Sequence, residues 1–173
     1  MNMTYRNIIF STLIVLLFSS CLKDSPAVDF TTVGTIIEIL PPNGGGLENF
    51  DAAALEYDPA DEIDSADIDL NIASPKPLNK SITITLAVDD GLRAAYNASN
   101  GTDYEPMPDS VYSFPVKSGT IAAGERQDTI RVIFYPSKID STKSYMLPVR
   151  IKDAQGEKIS GNFGDIYFHT DAK

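Results

Sequence analysis

The residue whose chemistry is easiest to predict is the one cysteine of the chain. Cys21 follows Ser19-Ser20 and an apolar run at residues 8–18, and Arg6 precedes that run. A basic start, a short apolar stretch and small residues before a cleavage site are typical of a secretory signal peptide. The run is too short to span a bilayer comfortably. We therefore predict a bacterial lipobox, in which the Cys21 thiol is acylated, although Phe18 stands where Leu is usual.

This interpretation divides the chain into three parts. Residues 1–20 are predicted to be the lipoprotein signal peptide, residues 21–33 a polar tether, and residues 34–170 one folded domain. Because each buried methylene of an acyl chain contributes about 0.8 kcal/mol, a multiply acylated cysteine would anchor the protein stably to a membrane. The alternative is an ordinary signal peptide with an incidental cysteine. No second cysteine exists for a disulfide, so stability must come from the core.

Acidic residues are concentrated in residues 58–69 and could bind Ca²⁺, which takes six to eight oxygen ligands. Their spacing matches no calcium-loop signature, and Asp67 and Asp69 alternate with apolar residues, which favours a solvated strand face. We predict no metal site and no cofactor, and keep a calcium-stabilised structural module as an alternative. Asp90 is predicted to cap a short helix.

Catalysis and nucleic-acid binding are both disfavoured. His169 is the only histidine, so a histidine-based metal site or a Ser-His dyad lacks its usual parts. A glycosidase needs only two carboxylates, but it also needs a cleft, which a single small sandwich seldom offers. The formal net charge of −10 repels nucleic acid. The sequence therefore predicts a protein that is not an enzyme.

Tyrosine rings could offer flat surfaces on which sugars stack, in a chain that has no tryptophan. Tyr145 and Tyr104 are predicted to lie in the core. Tyr135 follows Phe134 and has the opposite strand parity, so it is predicted to be the most exposed tyrosine. Tyr135 and Tyr96 are the predicted ligand-facing residues.

The elements that would position these residues are short strands. Alternating apolar runs separated by turn residues predict an all-β fold, an Ig-like antiparallel β-sandwich of about seven or eight strands with one short helical turn. In the strand at 66–73, for example, Ile68, Leu70 and Ile72 are predicted to face inward. The other clear strands are predicted at 34–40, 82–88, 111–116, 129–135, 145–151 and 165–170. A hairpin turn is predicted at 153–156, and one or two helical turns at 90–97 before a Gly101 terminator.

Several short motifs resemble one family. Tyr96-Asn97-Ala98, residues 100–104, Gly119-Thr120-Ile121 and residues 145–148 are similar to the BT_3987-like N-terminal domain, or DUF1735, of Bacteroidetes lipoproteins. The order and spacing of these motifs are also similar to those of Calx-beta domains, which are another group of β-sandwiches. The resemblance covers roughly residues 34–170. It implies a β-sandwich that often precedes a glycan-binding or glycosidase-like domain.

The resemblance also implies a function and a location. The expected protein is a non-catalytic lipoprotein of the outer membrane that binds glycans or acts as a spacer in polysaccharide utilisation. Lys23-Asp24 resembles a short surface-export tag, so display on the cell surface is expected, with the periplasmic face as the alternative. Its expected partners are the membrane, through the lipid anchor, and a glycan or neighbouring envelope proteins. A protein-interaction or adhesin-like subunit that adds strands at its sheet edges is a further alternative.

Triplets that begin with Asp and continue with Ser or Thr resemble the O-glycosylation signal of exported Bacteroidetes proteins. The acceptor residues they predict are Ser65, Ser110, Thr129 and Ser141.

Overall fold

The structure is a computed structural model and describes residues 34–41 and 53–173. The predicted signal peptide, the tether and the lipidation residue Cys21 lie outside the described residues. The described residues form eleven strands: β1 Ile36–Ile39, β2 Ala53–Ala54, β3 Asp64–Ala73, β4 Ile82–Val88, β5 Glu105–Pro106, β6 Tyr112–Ser113, β7 Ser118–Ile121, β8 Gln127–Phe134, β9 Tyr145–Asp153, β10 Lys158–Ile159 and β11 Asp165–Thr170. Helix α1 spans Asp90–Asn100, and Pro136–Lys138 form a 3-10 turn.

The strands form two sheets, which confirms the predicted sandwich. The first sheet has the order β10-β1-β3-β8-β6, and the second has the order β2-β11-β9-β4-β7, with β5 also paired to β9. Only the three pairs made by β10, β2 and β5 are parallel among the described strands, and each of these three strands has two residues. Seven of the described strands have four or more residues, in agreement with the predicted number.

The core lies between the sheets and follows the alternation of the sequence. Ile68, Leu70 and Ile72 of β3 are at most 1% exposed, whereas Asp67 and Asp69 between them are exposed. Burying a large aliphatic side chain in this way contributes about 1.5–3 kcal/mol. The two sheets also meet through Phe134 on β8 and Phe168 on β11, whose ring centroids are 5.6 Å apart in an edge-to-face arrangement.

Strand β9 departs from simple alternation, because its first five residues are all buried. Leu147 and Val149 belong to the core between the sheets. Met146 and Pro148 point to the opposite side of the same sheet, where they pair in register with His169 and Tyr167 of β11. Met146 is nevertheless 0% exposed, so another layer must cover the outer side of the second sheet.

Helix α1 is longer than predicted. It runs for eleven residues rather than ending near residue 97, and Gly101 terminates it in the left-handed conformation with φ 67°, as predicted. The prediction that Asp90 caps the helix was wrong, because the extended residue Asp89 accepts a hydrogen bond from the N–H of Gly91 at 3.0 Å. Asp90 instead forms an ion pair with Arg93 in the first turn.

Two other local predictions need correction. The strand predicted at 111–116 is reduced to Tyr112–Ser113. The predicted hairpin turn at 153–156 is a turn, with φ of 53° at Gln155 and 83° at Gly156, but it does not form a hairpin. Strand β10, which follows it, pairs with β1 in the first sheet, so the turn carries the chain from one sheet to the other.

At one edge of the sandwich, a side chain links the two sheets by a hydrogen bond. The Asp128 carboxylate accepts hydrogen bonds from the N–H groups of Thr120 (2.8 Å) and Thr129 (2.9 Å), and so links β7 to β8 across the two sheets. A larger residue at position 119 would displace its neighbours, because a Cβ there would lie 2.7 Å from the Asp128 Oδ2 and 2.9 Å from the Leu70 Cδ1. A carboxylate on the N–H of an edge strand hinders the addition of another strand.

No helix among the described residues is long and apolar enough to cross a membrane.

Candidate functional site

The layer that covers the outer side of the second sheet is rich in aromatic rings. Tyr96 of α1 contacts Tyr167 of β11, with ring centroids 5.4 Å apart, and Tyr104 of the following loop at 6.1 Å. The Tyr104 ring lies 5.2 Å from that of His169. We call these four residues the tyrosine cluster. All four are half-buried, so each ring has both packed and accessible surface.

Asn97 and Arg93 on α1 hold the loop that carries Tyr104. The Asn97 side chain donates to the carbonyl of Tyr104 (2.9 Å) and accepts from the Tyr104 N–H (3.1 Å) and the Thr102 hydroxyl (2.9 Å). Arg93 donates to the same Tyr104 carbonyl at 2.7 Å. Because Gly101 turns the chain back towards the helix, the loop places the Tyr104 ring over β11. The cluster is therefore ordered before any ligand arrives.

Charged residues surround the cluster in pairs. Arg150 on β9 donates to Asp89 at 2.8 Å and lies 3.5 Å from Asp165 on β11. Arg93 makes two hydrogen bonds to Asp90, at 2.6 and 2.8 Å. Both arginines beside the cluster are thus already matched by carboxylates.

Burial changes the acidity of the residues in and beside the cluster. Burial, together with its hydrogen bond to Asp171, raises the pKa of Tyr104 to about 12. The Tyr104 hydroxyl donates to Asp171 at 2.9 Å, and His169 Nδ1 lies 3.2 Å from both groups. Burial also raises the pKa of Tyr167 and that of Asp165, although the charge of Arg150 opposes both shifts. The phenols therefore stay neutral at ordinary pH and can act as hydrogen-bond donors.

Chemically, this arrangement is suited to binding. Tyrosine rings offer apolar faces to the C–H faces of a ring-shaped ligand, and their hydroxyls offer polar contacts at the rim. In the part of the chain that the structure describes, no group of three or more His, Cys, Asp or Glu residues could hold a metal ion.

The structure separates the two tyrosines that the sequence predicts to face a ligand. Tyr96 lies in the cluster, whereas Tyr135 lies after β8 in the first sheet, half-buried, with Lys138 Nζ 4.3 Å from its ring centroid. The prediction that Tyr104 is a core residue was wrong, since it is only half-buried, while Tyr145 is buried as predicted. Sequence reasoning missed Tyr167, although it alternates with the inward residues of β11 and could have been found from that parity.

Two residues of the acidic run at 58–69 form hydrogen bonds with side chains of β8. Asp67 forms two hydrogen bonds with Arg131, at 2.7 and 3.0 Å, and Asp69 accepts one from the Thr129 hydroxyl at 2.7 Å. A cleft of about 370 Å³ between β2 and β3 is lined partly by these acids and by Phe168. These two acids are thus engaged by Arg131 and Thr129 across the strand pair β3–β8.

The four predicted O-glycosylation residues are all exposed. Ser65 and Thr129 lie on β3 and β8, and Ser110 and Ser141 lie in turns. Their modification stays a prediction, as does the acylation of Cys21.

The comparisons with known proteins agree with this fold. The family model for the "-like, N-terminal domain" matches residues 46–158, which is more than half of the chain. The chain belongs to the DUF1735 family, the BT_3987-like N-terminal domains. No curated protein sequence matches the chain.

Solved structures from Bacteroides contain the same fold. A "putative carbohydrate binding protein" from Bacteroides ovatus is 18% identical with a TM-score of 0.58, over 71% of this chain and 36% of that one. A multidomain protein including DUF1735, also from Bacteroides ovatus, is 16% identical with a TM-score of 0.62, over 78% and 44%.

A third similar structure is the Bacteroides thetaiotaomicron EndoBT-3987 with a Man5GlcNAc product. It is 15% identical with a TM-score of 0.51, over 62% of this chain and 26% of that one. The chain thus spans less than half the length of each of these three proteins. At these identities, the likeness shows the fold of the family domain.

Proposed function

We propose that this chain is a non-catalytic glycan-binding module of the bacterial cell envelope, anchored at the outer membrane through acylated Cys21 and exposed at the cell surface. It would serve polysaccharide utilisation by holding a glycan near the cell. Membership of the DUF1735 family supports a glycan-related role, as do two of the similar structures, the "putative carbohydrate binding protein" and the one with a Man5GlcNAc product.

The observation that carries the proposal is the pre-ordered tyrosine cluster. Asn97 and Arg93 fix the Tyr104 loop by four hydrogen bonds of 2.7–3.1 Å to Tyr104 and Thr102. A surface that is ordered before binding loses less conformational entropy when a ligand arrives. Three rings with accessible surface on one side of a sheet therefore favour the capture of a sugar chain.

The chemistry of the cluster supports a non-catalytic role. Acid-base cleavage of a glycosidic bond needs one carboxylic acid and one free carboxylate facing each other across the bond. Three acids beside the cluster accept hydrogen bonds from Arg93, Arg150 and Tyr104 instead. Tyr104, with a pKa raised to about 12, is a poor general base near neutral pH.

The test is affinity electrophoresis of the mature chain through gels that contain soluble polysaccharides. We expect at least one polysaccharide to retard the protein, and Tyr167→Ala to weaken that retardation about tenfold, as for a central aromatic contact. Tyr135→Ala is the matched control, because it removes a tyrosine from the other sheet and should leave binding intact. Unretarded migration in every gel, or equal losses in the two variants, would contradict the proposal.

Anchoring is tested separately. Cys21→Ala should move the protein from the membrane fraction to the soluble fraction and abolish labelling by a radioactive fatty acid, because the thiol is the acceptor. Membrane association that persists without label would show that another segment holds the protein at the membrane.

A further inference from the structure

Both arginines beside the tyrosine cluster are already paired with carboxylates. Arg150 is shared between Asp89 and Asp165, at 2.8 and 3.5 Å. The Arg93 guanidinium is used by Asp90 through two nitrogens and by the Tyr104 carbonyl through the third. Arginine is over-represented where proteins recognise carboxylates and similar anions, because a free guanidinium can contact them through two parallel hydrogen bonds.

The charges around the cluster are mostly negative. The carboxylates on or beside it are Asp89, Asp90, Asp103, Asp165 and Asp171, as their hydrogen bonds, ion pairs and electrostatic interactions with the cluster and its arginines show. Against these stand two arginines. An anionic sugar would therefore meet like charges at the rim, and the net charge of −10 on the chain adds to this repulsion.

We infer that the tyrosine cluster takes glycans without anionic groups, such as neutral hexose or N-acetylhexosamine chains, and discriminates against uronic-acid and sulfated polysaccharides. The inference rests on the proposed function and names the class of ligand for the same surface. The rings provide attraction to any sugar face, whereas the carboxylates that surround the cluster and pair with its arginines decide which substituents are tolerated.

The experiment compares matched pairs of oligosaccharides by isothermal titration calorimetry with the full mature chain. Each pair shares its linkage and differs in the sixth carbon, for example a β-mannan and a β-mannuronan fragment. At low salt we expect the neutral member to bind about tenfold or more tightly, because like charges suppress the wrong partner. The difference should shrink as salt shortens the Debye length from about 10 Å at 0.1 M to about 3 Å at 1 M.

Two variants locate the source of the discrimination. Asp165→Asn leaves Arg150 with one carboxylate partner and should bring the affinity for the uronic-acid fragment closer to that for the neutral one. Asp67→Asn removes the same charge and the partner of Arg131, but on the outer face of the first sheet, so it should leave the ratio of the two affinities near its original value.

The outcomes separate the two proposals. Equal or tighter binding of the anionic fragment by the unmodified protein would overturn the inference and leave the glycan-binding role standing. Equal responses of the two Asn variants would also overturn it, because the discrimination would then come from the charge of the whole chain. If no fragment of either kind binds, the proposed function itself fails, and the inference with it.

Discussion

The two outer faces of the sandwich are both formed by β-strands, but they differ in the burial of their outward side chains. On the first sheet, β3 and β8 present cross-strand polar pairs, Asp67 with Arg131 and Asp69 with Thr129, and these side chains remain exposed. On the second sheet, Met146 and Pro148 occupy the corresponding outward positions of β9 and are buried. The second sheet differs because α1 and the loop that follows it lie on its outer side, where their rings contact those of β11.

The same contrast appears in two Arg–Asp pairs. Arg131 holds the pKa of Asp67 below its usual range, whereas burial raises the pKa of Asp165 although Arg150 lies beside it. The side chains are 42% exposed for Asp67 and 26% for Asp165. In the more buried pair the cost of desolvation exceeds the attraction of the partner. The covering layer therefore changes the electrostatics of its face as well as its shape.

Replacing the buried outward residue of β9 should have the largest effect. Met146→Ala removes a side chain that is 0% exposed, and we expect it to lower the free energy of unfolding by about 2–5 kcal/mol. Ile133→Ala is the matched control on the outward side of β8, where the side chain is half-buried, and should cost less than about 1.5 kcal/mol. Urea denaturation followed by circular dichroism measures both. Equal costs would show that α1 does not make this face a second packed layer.

Much of this comparison was predictable from the sequence. Strict alternation in residues 66–73 predicts a strand with one wet face, and the structure confirms it. The run Met146-Leu147-Pro148-Val149 lacks polar residues, which is the sign of a strand buried on both faces. Reading only every second residue of that run misses the covered outer face, and with it the site of the tyrosine cluster.

Other features depend on tertiary structure that no local pattern contains. Asp89 and Asp90 are chemically identical candidates for the helix cap, and only the extended backbone of Asp89, with φ −134°, decides between them. Parity alone predicts Tyr135 to be exposed, yet the 3-10 turn after β8 places Lys138 over its ring. Tyr104 joins the cluster through a side-chain clamp between residues seven apart, which has no periodic signature.

That clamp gives the second prediction. Asn97→Ala removes three side-chain hydrogen bonds to Tyr104 and Thr102 and leaves the Tyr104 N–H without its acceptor. We expect a loss of about 1–3 kcal/mol in the free energy of unfolding, together with a weaker near-ultraviolet circular dichroism signal from the tyrosines.

The control for the clamp lies on the other outer face. Asn71→Ala removes one hydrogen bond, to Glu38, and should cost about 0.5–1.5 kcal/mol without changing the tyrosine signal. An unchanged signal in Asn97→Ala would mean that the rings pack together without the clamp, and that the cluster is ordered by α1 and β11 alone.

The smallest expected effect is the pH dependence of stability, to which Asp165 and Asp67 contribute with opposite signs. Because its folded pKa is raised, Asp165 contributes stability below its unfolded pKa of about 3.9, and this contribution is lost as pH rises through the folded value. Because its folded pKa is lowered, Asp67 contributes stability above its unfolded pKa, and this is lost as pH falls through the folded value.

The two Asn variants should therefore diverge between about pH 3 and pH 6, around the unfolded pKa of Asp near 3.9. Relative to the unmodified protein, Asp165→Asn should gain thermal stability as pH rises, and Asp67→Asn should lose it. Both shifts should be small, because solvent screens partly exposed pairs, and the Asp67 shift should fade further in high salt. Scanning calorimetry across this range measures them. Parallel rather than opposed trends would mean that the layer formed by α1 does not desolvate Asp165, and the contrast between the two faces would then be one of packing alone.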